Sequence, residues 1–414
     1  MRESDVIVIG SGFAGLIAAA AADKRGKKVT VLSKGVGTLT IGGGTIDLLG
    51  YGNDGRPLAN PAAGLAAIEP AHPYKKIGSP AIYAAIKFFL AICESAGYPY
   101  LGRLEEMKWI PTAAGTLKPT CLVPKTMDTT CLKSAHTVYA AGFQGLKDYY
   151  PHLVAKNLSK LPGYDKNYEI VMVNPHFTDG RDVSALDVAR WLDTGTGRKE
   201  CIRQLVKKVK AGAVILMPPV LGTSPDYQVL EEMETALDCR LVETVAIPPS
   251  VTGFRLRSMM LNYLKTAGVR IIEQVSVARA IMEKGKCLGV VTQNIDRERT
   301  YYAKNFILAN GGFYGGGLRA EPGQAIEPIF NLPVEAPAKQ EEWGNRQLFS
   351  PEKQSFAKIG ITVDNKMRPL APNGSIAIEN IFIAGRNLRG YDFCFEKSGN
   401  GVALASGYQA AMSV

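Results

Sequence analysis

The chain begins with Val6-Ile7-Val8-Ile9-Gly10-Ser11-Gly12-Phe13-Ala14-Gly15, which leads directly into the alanine-rich stretch Leu16 to Ala22. The apolar run predicts a strand, the glycines a tight turn and the alanines a helix. In such a turn the first glycine lets the chain reverse, the second lets backbone N–H groups approach a phosphate, and the third lets the helix pack on the strand. A second predicted strand, 29–32, completes a βαβ unit. We therefore predict that Gly10, Gly12, Phe13, Ala14 and Gly15 bind a phosphate-containing cofactor.

Three more glycine-rich segments follow predicted strands or open a helix. The candidate cofactor-binding residues in them, with Val277 from a predicted β-meander, are Ser33, Lys34, Thr40, Gly42, Gly43, Gly44, Thr45, Asn310, Gly311, Gly312, Gly385, Arg386, Asn400, Gly401 and Val402. The last three begin a predicted helix of small residues, whose positive end can stabilise negative charge on a reduced flavin ring. Glycine-rich elements at several strand ends predict a ligand that runs across the top of a sheet. A flavin fits this split arrangement better than a nicotinamide.

The end of the second predicted strand bears on the length of the cofactor. Many dinucleotide-binding folds have an acidic residue there that binds the adenosine ribose. This chain has Ser33 instead, followed by Lys34. The sequence therefore predicts a phosphate site but leaves open what occupies an adenosine pocket.

The order of the predicted elements gives an α/β fold with a divided cofactor domain. We predict a Rossmann-like flavin-binding domain with a β-meander, interrupted by an inserted α/β cap domain. The expected boundaries are 1–54, 251–317 and 359–414 for the flavin-binding domain, 55–250 for the cap, and 318–358 for a segment of the cap or of an interface.

The 414 residues are 46% hydrophobic and 21% charged, as in an ordinary globular protein. No apolar run is long enough for a membrane helix, and the first strand leaves no room for a signal peptide, so we expect a cytoplasmic protein. The seven cysteines lie at least ten residues apart, which excludes the common close-spaced metal and iron–sulfur motifs. We predict no metal site.

The formal net charge of +10 comes from lysines and arginines spread along the chain. Two interpretations stay open: a solvated basic surface, or attraction to an acidic partner or to anionic lipid headgroups. Nucleic acid binding is not expected, because no recognition motif accompanies the charge.

The glycine-rich elements, in this order, resemble the flavoprotein superfamily of fumarate reductase, succinate dehydrogenase and aspartate oxidase. Further segments narrow the resemblance to the B-subunit family of anaerobic glycerol-3-phosphate dehydrogenases, and these segments are 42–49, 71–74, 115–118, 142–146, 217–222, 248–256 and 360–364. The resemblance covers nearly the whole chain, including the predicted cap.

The resemblance implies a flavoprotein subunit with FMN, or alternatively FAD, at the cytoplasmic face of the cell membrane. It also implies two partners, a catalytic FAD subunit and a membrane-associated iron–sulfur subunit. The implied reaction oxidises sn-glycerol 3-phosphate to dihydroxyacetone phosphate and passes the electrons to quinone in anaerobic respiration. The segment 385–397 is less rich in glycine than we would expect from this family.

Three functions stay open from the residues alone. The first is a flavin-bearing subunit that relays electrons. The second is a self-contained flavin-dependent dehydrogenase of a small anionic hydroxy acid, for which Lys118, Arg255 and Arg257 are the substrate-binding candidates. The third is a scaffold subunit without a working flavin site. No catalytic residue is assigned.

Overall fold

A computed structural model describes residues 3–178, 180–294, 297–347 and 353–414. The strands are β1 (Ser4–Ile9), β2 (Val29–Leu32), β3 (Tyr100–Gly102), β4 (Lys108–Pro111), β5 (Leu117–Thr120), β6 (Leu122–Pro124), β7 (Thr137–Phe143), β8 (Asn167–Val173), β9 (Val214–Met217), β10 (Arg240–Glu243), β11 (Arg270–Ile272), β12 (Ser276–Glu283), β13 (Lys286–Asn294), β14 (Arg297–Leu308), β15 (Arg319–Glu321), β16 (Gln324–Ile326) and β17 (Ile381–Ile383). The helices are α1 (Phe13–Lys24), α2 (Pro61–Gly64), α3 (Pro73–Ile77), α4 (Ser79–Ser95), α5 (Thr130–Ser134), α6 (Pro151–Leu158), α7 (Ala185–Asp193), α8 (Gly195–Val206), α9 (Gln228–Leu237), α10 (Val251–Thr266), α11 (Gly312–Gly315) and α12 (Gly399–Ser413).

The chain divides into two compact units. The first comprises Met1–Thr38, Asp47–Ile92 and Met260–Val414, and the second comprises Leu39–Ile46 and Cys93–Met259. These bounds differ from the predicted ones, because residues 55–92 and 318–358 belong to the first unit. Residues 39–46 and 251–259, which we expected in the flavin-binding domain, belong to the second.

Side-chain contacts explain where the early segments lie. In the first unit, the Tyr74 hydroxyl donates to the Leu48 carbonyl oxygen at 2.9 Å, and the Phe89 ring meets that of Phe13 edge-on at 5.5 Å between centroids. In the second unit, the Tyr100 hydroxyl donates to the carbonyl oxygen of Gly44 at 2.6 Å. These partners lie far apart in sequence, so local patterns gave no sign of them.

The main sheet of the first unit has parallel strands in the order β11-β2-β1-β14-β17. The strand β14 is twelve residues long and takes part in two kinds of pairing. Its first half pairs antiparallel with β13, which pairs with β12 to form the predicted meander, and its second half lies between β1 and β17. All the parallel strands therefore end at one edge, where the glycine-containing loops after β1, β14 and β17 lie.

The second unit is built on a four-stranded parallel sheet with the order β10-β9-β7-β8. Its strands β9 and β10 are buried at nearly every position, as expected for a parallel sheet covered by helices. The unit thus has the α/β character predicted for the cap.

Candidate functional site

The first glycine-rich turn has the geometry that its spacing predicts. Gly10 has a φ of +112°, and a Cβ there would lie 2.3 Å from the Ala309 carbonyl oxygen. A Cβ on Gly15 would lie 2.0 Å from the carbonyl oxygen of Gly10. Both positions therefore require glycine, one for the turn and the other for the packing of α1 on the end of β1.

Gly12 is different, because a Cβ there would meet nothing within 4 Å. It is the N-cap residue of α1 and has extended backbone angles and no side chain to cap the helix. The first N–H groups of a helix have no partner within the helix, and they form a binding site for an anion. The turn thus presents these groups to open space rather than to protein.

That open space is a cavity of about 870 Å³ in the first unit. It is lined by Ile9, Gly10, Ser11, Gly12, Leu32, Ser33, Lys34, Gly35, Gly37, Thr38, Val275, Ser276, Val277, Ala278, Gln293, Ala309, Asn310, Gly311, Tyr314, Gly315, Gly316, Arg319, Pro328, Ile329 and Arg386. Among these described residues there are three cations and no carboxylate. The cavity is therefore suited to an anionic ligand of cofactor size.

The lining at the end of β2 is formed by hydroxyl groups and a lysine. Ser33 is buried and its hydroxyl donates to the Gly35 carbonyl oxygen at 2.6 Å, while the Ser11 hydroxyl lies 2.6 Å from that of Ser33. Lys34 is exposed at the cavity. Many dinucleotide-binding folds have an acidic residue here that binds the hydroxyls of a ribose. This chain has a positive charge at the same place.

At the ends of β14 and β17 the two loops are joined by the fully buried side chain of Asn387. Its Nδ2 donates to Oδ1 of Asn310 at 2.7 Å, and its Oδ1 accepts a hydrogen bond from the Gly312 N–H at 2.8 Å. Asn387 was not among the predicted cofactor-binding residues. The one feature of the sequence that could have indicated this residue is its position immediately after Gly385 and Arg386.

The segment before α12 is fixed by a buried histidine. The Tyr74 N–H donates to Nδ1 of His72 at 3.1 Å, so the ring proton is on Nε2, which donates to Oε1 of Glu396 at 3.0 Å. The same oxygen accepts a hydrogen bond from the Ser398 hydroxyl at 2.6 Å. These contacts position the chain that leads into the first turn of α12.

The structure brings some predicted cofactor residues together at the cavity and places others elsewhere. Those that line it are Gly10, Gly12, Ser33, Lys34, Val277, Asn310, Gly311 and Arg386. Those in the first unit that begin an adjoining helix or loop are Phe13, Ala14, Gly15, Gly312, Gly385, Asn400, Gly401 and Val402. Those in the second unit are Thr40, Gly42, Gly43, Gly44 and Thr45, and their contact with a cofactor stays a prediction.

The three substrate candidates also lie in the second unit. The Lys118 ammonium group donates to the Thr45 hydroxyl at 2.7 Å, and Arg257 is half-buried on α10. Arg255 is fully buried; its Nη1 and Nη2 bind the Glu243 carboxylate at 2.7 and 2.8 Å, and its Nε donates to the Gly222 carbonyl oxygen. We therefore assign Arg255 to the core of this unit and do not retain it as a substrate candidate.

Two cavity residues that were not predicted from the sequence bear on the chemistry of the site. Tyr314 lies on α11 and Arg319 on β15, and both line the cavity. They lie in a segment whose sequence has no strong periodicity, so only its position after Asn310-Gly311-Gly312 could have indicated them.

A second cavity of about 790 Å³ in the same unit has another character. It is lined by Glu3, Arg270, Lys286, Cys287, Leu288, Arg299, Thr300, Tyr301, Tyr302, Ala303, Lys304 and Asn380. It contains none of the glycine-rich strand ends, and two of its lysines bind Glu379 and Asp5. The glycine-rich strand ends thus border the first cavity and not this one.

Within the described ranges, no cluster of three His, Cys, Asp or Glu side chains is arranged to hold a metal ion. The seven cysteines are free thiols. In that same part of the chain, no helix combines the length and the apolar character needed to cross a bilayer.

Comparison with known proteins identifies the ligand class. The model of one protein family, described as an FAD binding domain, matches residues 5–402, nearly the full length. The chain belongs to this FAD-binding family. The cation-lined cavity, the open helix N-terminus at Gly12 and the glycine-rich strand ends fit a phosphate-bearing flavin.

Individual relatives of this flavoprotein match over the full length. The B-subunit of the anaerobic glycerol-3-phosphate dehydrogenase of Vibrio vulnificus is 28% identical over 443 residues, covering 100% of this chain and 99% of that protein. The B-subunits of Vibrio cholerae and Pectobacterium atrosepticum are each 27% identical, covering 100% and 99% of this chain and 97% and 98% of their own.

A more distant likeness exists to a solved structure, that of 3-ketosteroid delta1-dehydrogenase from Sterolibacterium denitrificans. Its TM-score is 0.47 at 12% identity, covering 100% of this chain and 99% of that one, and so remote a likeness carries no argument about function. The family and the full-length relatives confirm the predicted α/β flavin-binding fold class, the resemblance, the flavin cofactor and the class of flavin-dependent oxidoreductases.

Proposed function

We propose that this flavoprotein is a subunit of a glycerol-3-phosphate:quinone oxidoreductase that relays electrons within the complex. The observation that carries the proposal is the full-length similarity to proteins named as the B-subunit of an anaerobic glycerol-3-phosphate dehydrogenase. In this proposal a catalytic FAD subunit oxidises sn-glycerol 3-phosphate to dihydroxyacetone phosphate. An iron–sulfur subunit associated with the cytoplasmic face of the membrane receives the electrons.

The arrangement of the described residues supports a relay. A flavin supplies the chemistry of a carrier that accepts an electron pair and releases single electrons, and the protein's part is to hold and tune it. This chain's free cysteines and its lack of a metal cluster among the described residues suit a division of labour in which another subunit carries the iron–sulfur cluster. The net charge of +10 suits a peripheral position near anionic lipid.

We further propose that the resident cofactor is FMN, with FAD, for which the family is named, as the alternative. Lys34 and the paired hydroxyls of Ser11 and Ser33 stand where a carboxylate would bind an adenosine ribose, and positive charge there favours a terminal phosphate. The candidates to hold it are the predicted residues that line the cavity, together with the first turns of α1 and α12. The second-unit residues Thr40 and Gly42 to Thr45 are retained as candidates.

A self-contained dehydrogenase is the alternative, and one observation favours it. Two arginines, Arg319 and Arg386, line the cavity itself and offer an anchor for an anionic substrate. Lys118 and Arg257 stay candidates of the second unit for the same role.

The test uses the full chain purified alone. A relay subunit is expected to be yellow, to release a compound with the mass of FMN on denaturation, and to keep its flavin absorbance when sn-glycerol 3-phosphate is added without oxygen. Bleaching by the substrate would overturn the relay in favour of the self-contained enzyme. A colourless protein that does not take up added FMN or FAD would indicate a scaffold, and release of FAD would overturn the choice of FMN.

A further inference from the structure

A groove with no assigned ligand lies between β11 and the β-meander of the first unit. One part of it is the cavity of about 790 Å³ described above. The other part is a neighbouring cavity of about 510 Å³, which is lined by Ile272 and Val275 beside β11 and by Arg297 on β14. Arg299 and Tyr301 line both cavities, so the two cavities are parts of one groove.

The meander side of the groove carries a regular row of side chains. Arg297, Arg299 and Tyr301 occupy alternate positions of β14, so all three lie on the same face of the strand. Alternate positions of a strand are about 7 Å apart, and the side chains on one face of any extended peptide have the same spacing. A partner in an extended conformation can therefore place successive side chains against this row.

The cations of the groove differ in whether the protein itself neutralises them. At one end, the Lys304 ammonium group lies 2.8 Å from the Asp5 carboxylate. Within the described ranges, by contrast, neither Arg270 nor Arg299 forms an ion pair with a carboxylate. Among the described lining residues Glu3 is the only carboxylate, and its charge acts on Lys304. The groove thus has two arginine side chains that can bind external carboxylates.

Aromatic and apolar side chains surround these arginines. The guanidinium carbon of Arg270 lies 5.9 Å from the centre of the Tyr301 ring, and this cation–π contact orients the arginine without neutralising its charge. Leu288 and Tyr302 also line the groove, and their exposed fractions are 41% and 37%. Arginine and tyrosine beside exposed apolar surface are characteristic of sites that bind other proteins.

The opposite side of the groove is an edge strand. Among the described strands, β11 pairs with β2 alone. An edge strand offers backbone N–H and C=O groups with which an added strand can pair. A lipid headgroup or a small anion would use the positive charge but neither the row on β14 nor this edge. The combination therefore favours an extended peptide over the other anionic ligands.

We propose that this groove binds an extended, acidic segment of another subunit of the complex. Carboxylates of the segment bind Arg270 and Arg299, and an apolar side chain of the segment packs against Leu288. The inference rests on the proposed function, which supplies the partner subunits, and it gives part of the net positive charge of the chain a specific role.

The first test measures binding of the full chain to a complex of the two proposed partner subunits. We expect the double variant Arg270→Gln/Arg299→Gln to raise the Kd at least about tenfold at low salt, because two charge-assisted contacts are lost. The difference from the unmodified chain should shrink as sodium chloride is added, because salt screens exposed charges. Both side chains are exposed, so the variant is expected to fold, and thermal melting and flavin absorbance check this.

The matched control is Arg279→Gln. Arg279 lies on β12 of the same meander, lines neither cavity of the groove and has an exposed side chain that binds Glu298 at 3.2 Å. The substitution removes the same charge from the same sheet. It is expected to leave the Kd unchanged.

The second test identifies what occupies the groove while both arginines are intact. A photo-cross-linking amino acid in place of Leu288 is expected to link to a partner subunit, at a segment that contains Asp or Glu within a few residues. The control position is Met282, which is 43% exposed on β12 and lines neither cavity of the groove. Mass spectrometry of the linked peptides gives the result, and vesicles of phosphatidylglycerol are tested as the competing target.

Four results would overturn the inference. An unchanged Kd of the double variant would show that the arginines do not contribute, and an equal loss with Arg279→Gln would make the effect one of general charge. Cross-links from position 288 to phosphatidylglycerol would assign the groove to a membrane surface. Cross-links to a second copy of this chain would assign it to self-association. By contrast, failure of the unmodified chain to bind the two subunits would overturn the proposed function, and this inference with it.

Discussion

Nδ2 of Asn387 donates a hydrogen bond to Oδ1 of Asn310 at 2.7 Å, and this contact joins the loops that follow β17 and β14. Both loops border the cavity, through Arg386 in one and through Asn310 and Gly311 in the other. The buried Asn387 side chain thus extends the pairing of β14 with β17 into the two loops that border the cavity.

Replacement of this amide tests its role. We expect Asn387→Ala to lower the free energy of unfolding by about 1–3 kcal/mol, because the Gly312 N–H and the Asn310 side chain lose a buried partner. The variant should also lose flavin more readily on gel filtration. Denaturant titration measures the stability, and the ratio of flavin to protein absorbance measures the flavin that is retained. Asn373→Ala, which alters an exposed turn, is the control for both measurements. Equal stability of the two variants would contradict the prediction.

Gly12→Asp tests the phosphate position. The new side chain has room, since a Cβ on Gly12 meets nothing within 4 Å, so the fold is expected to be retained. Its negative charge at the phosphate turn should cost several kcal/mol of binding, and hence raise the Kd of FMN at least about a hundredfold.

Gly195→Asp is the control for this substitution, because Gly195 also lies at the start of a helix with open space around it, but in the second unit. It should keep the flavin. Retention of flavin by folded Gly12→Asp would mean that the phosphate lies elsewhere.

The buried Arg255–Glu243 pair predicts strong coupling in a double-mutant cycle. We expect Arg255→Met or Glu243→Gln alone to lower the free energy of unfolding by about 3–5 kcal/mol, because each leaves its partner in the core without a counter-charge or a matching bond. The double variant should be more stable than the sum of the two losses predicts. Additive losses in urea titrations would show that the two side chains are not coupled.

The pair between Asp5 and Lys304 predicts a pH dependence of stability. Hydrogen bonds from the Lys304 ammonium group and the Lys28 N–H lower the pKa of Asp5 below its ordinary value of 3.8. Its stabilising effect is therefore present above that value and is lost as the pH falls through the lower pKa of the folded state. Asp5→Asn should be slightly less stable than the unmodified chain at pH 7.

The difference between the two proteins should shrink as the pH falls from 3.8 through the lower pKa of folded Asp5, because the carboxylate is then protonated first in the unfolded and finally in the folded chain. Thermal melting at a series of pH values measures it. A difference that stays constant from neutral pH down to the lowest pH at which both proteins fold would rule out the charge of Asp5 as its cause.

Several features were predictable from the sequence because they depend on neighbouring residues. The spacing of Gly10, Gly12 and Gly15 determines the turn between β1 and α1, and the alanine-rich run after it predicted α1. The strand ends at Asn310 and Gly385 were recognisable from an apolar run that stops at glycine. Local steric and hydrophobic preferences are sufficient for such elements.

Only the tertiary structure decided how these elements combine. It placed Arg255, a charged residue that the sequence offered for substrate, against Glu243 in the core, and it assigned Gly42 to Thr45 to the second unit. It also brought Arg386 between Phe393 and Tyr314, the latter 72 residues earlier in the chain by their numbers. Contacts of this kind depend on the order of the strands and on packing between segments that are distant in sequence. Local patterns of residues do not determine either of these.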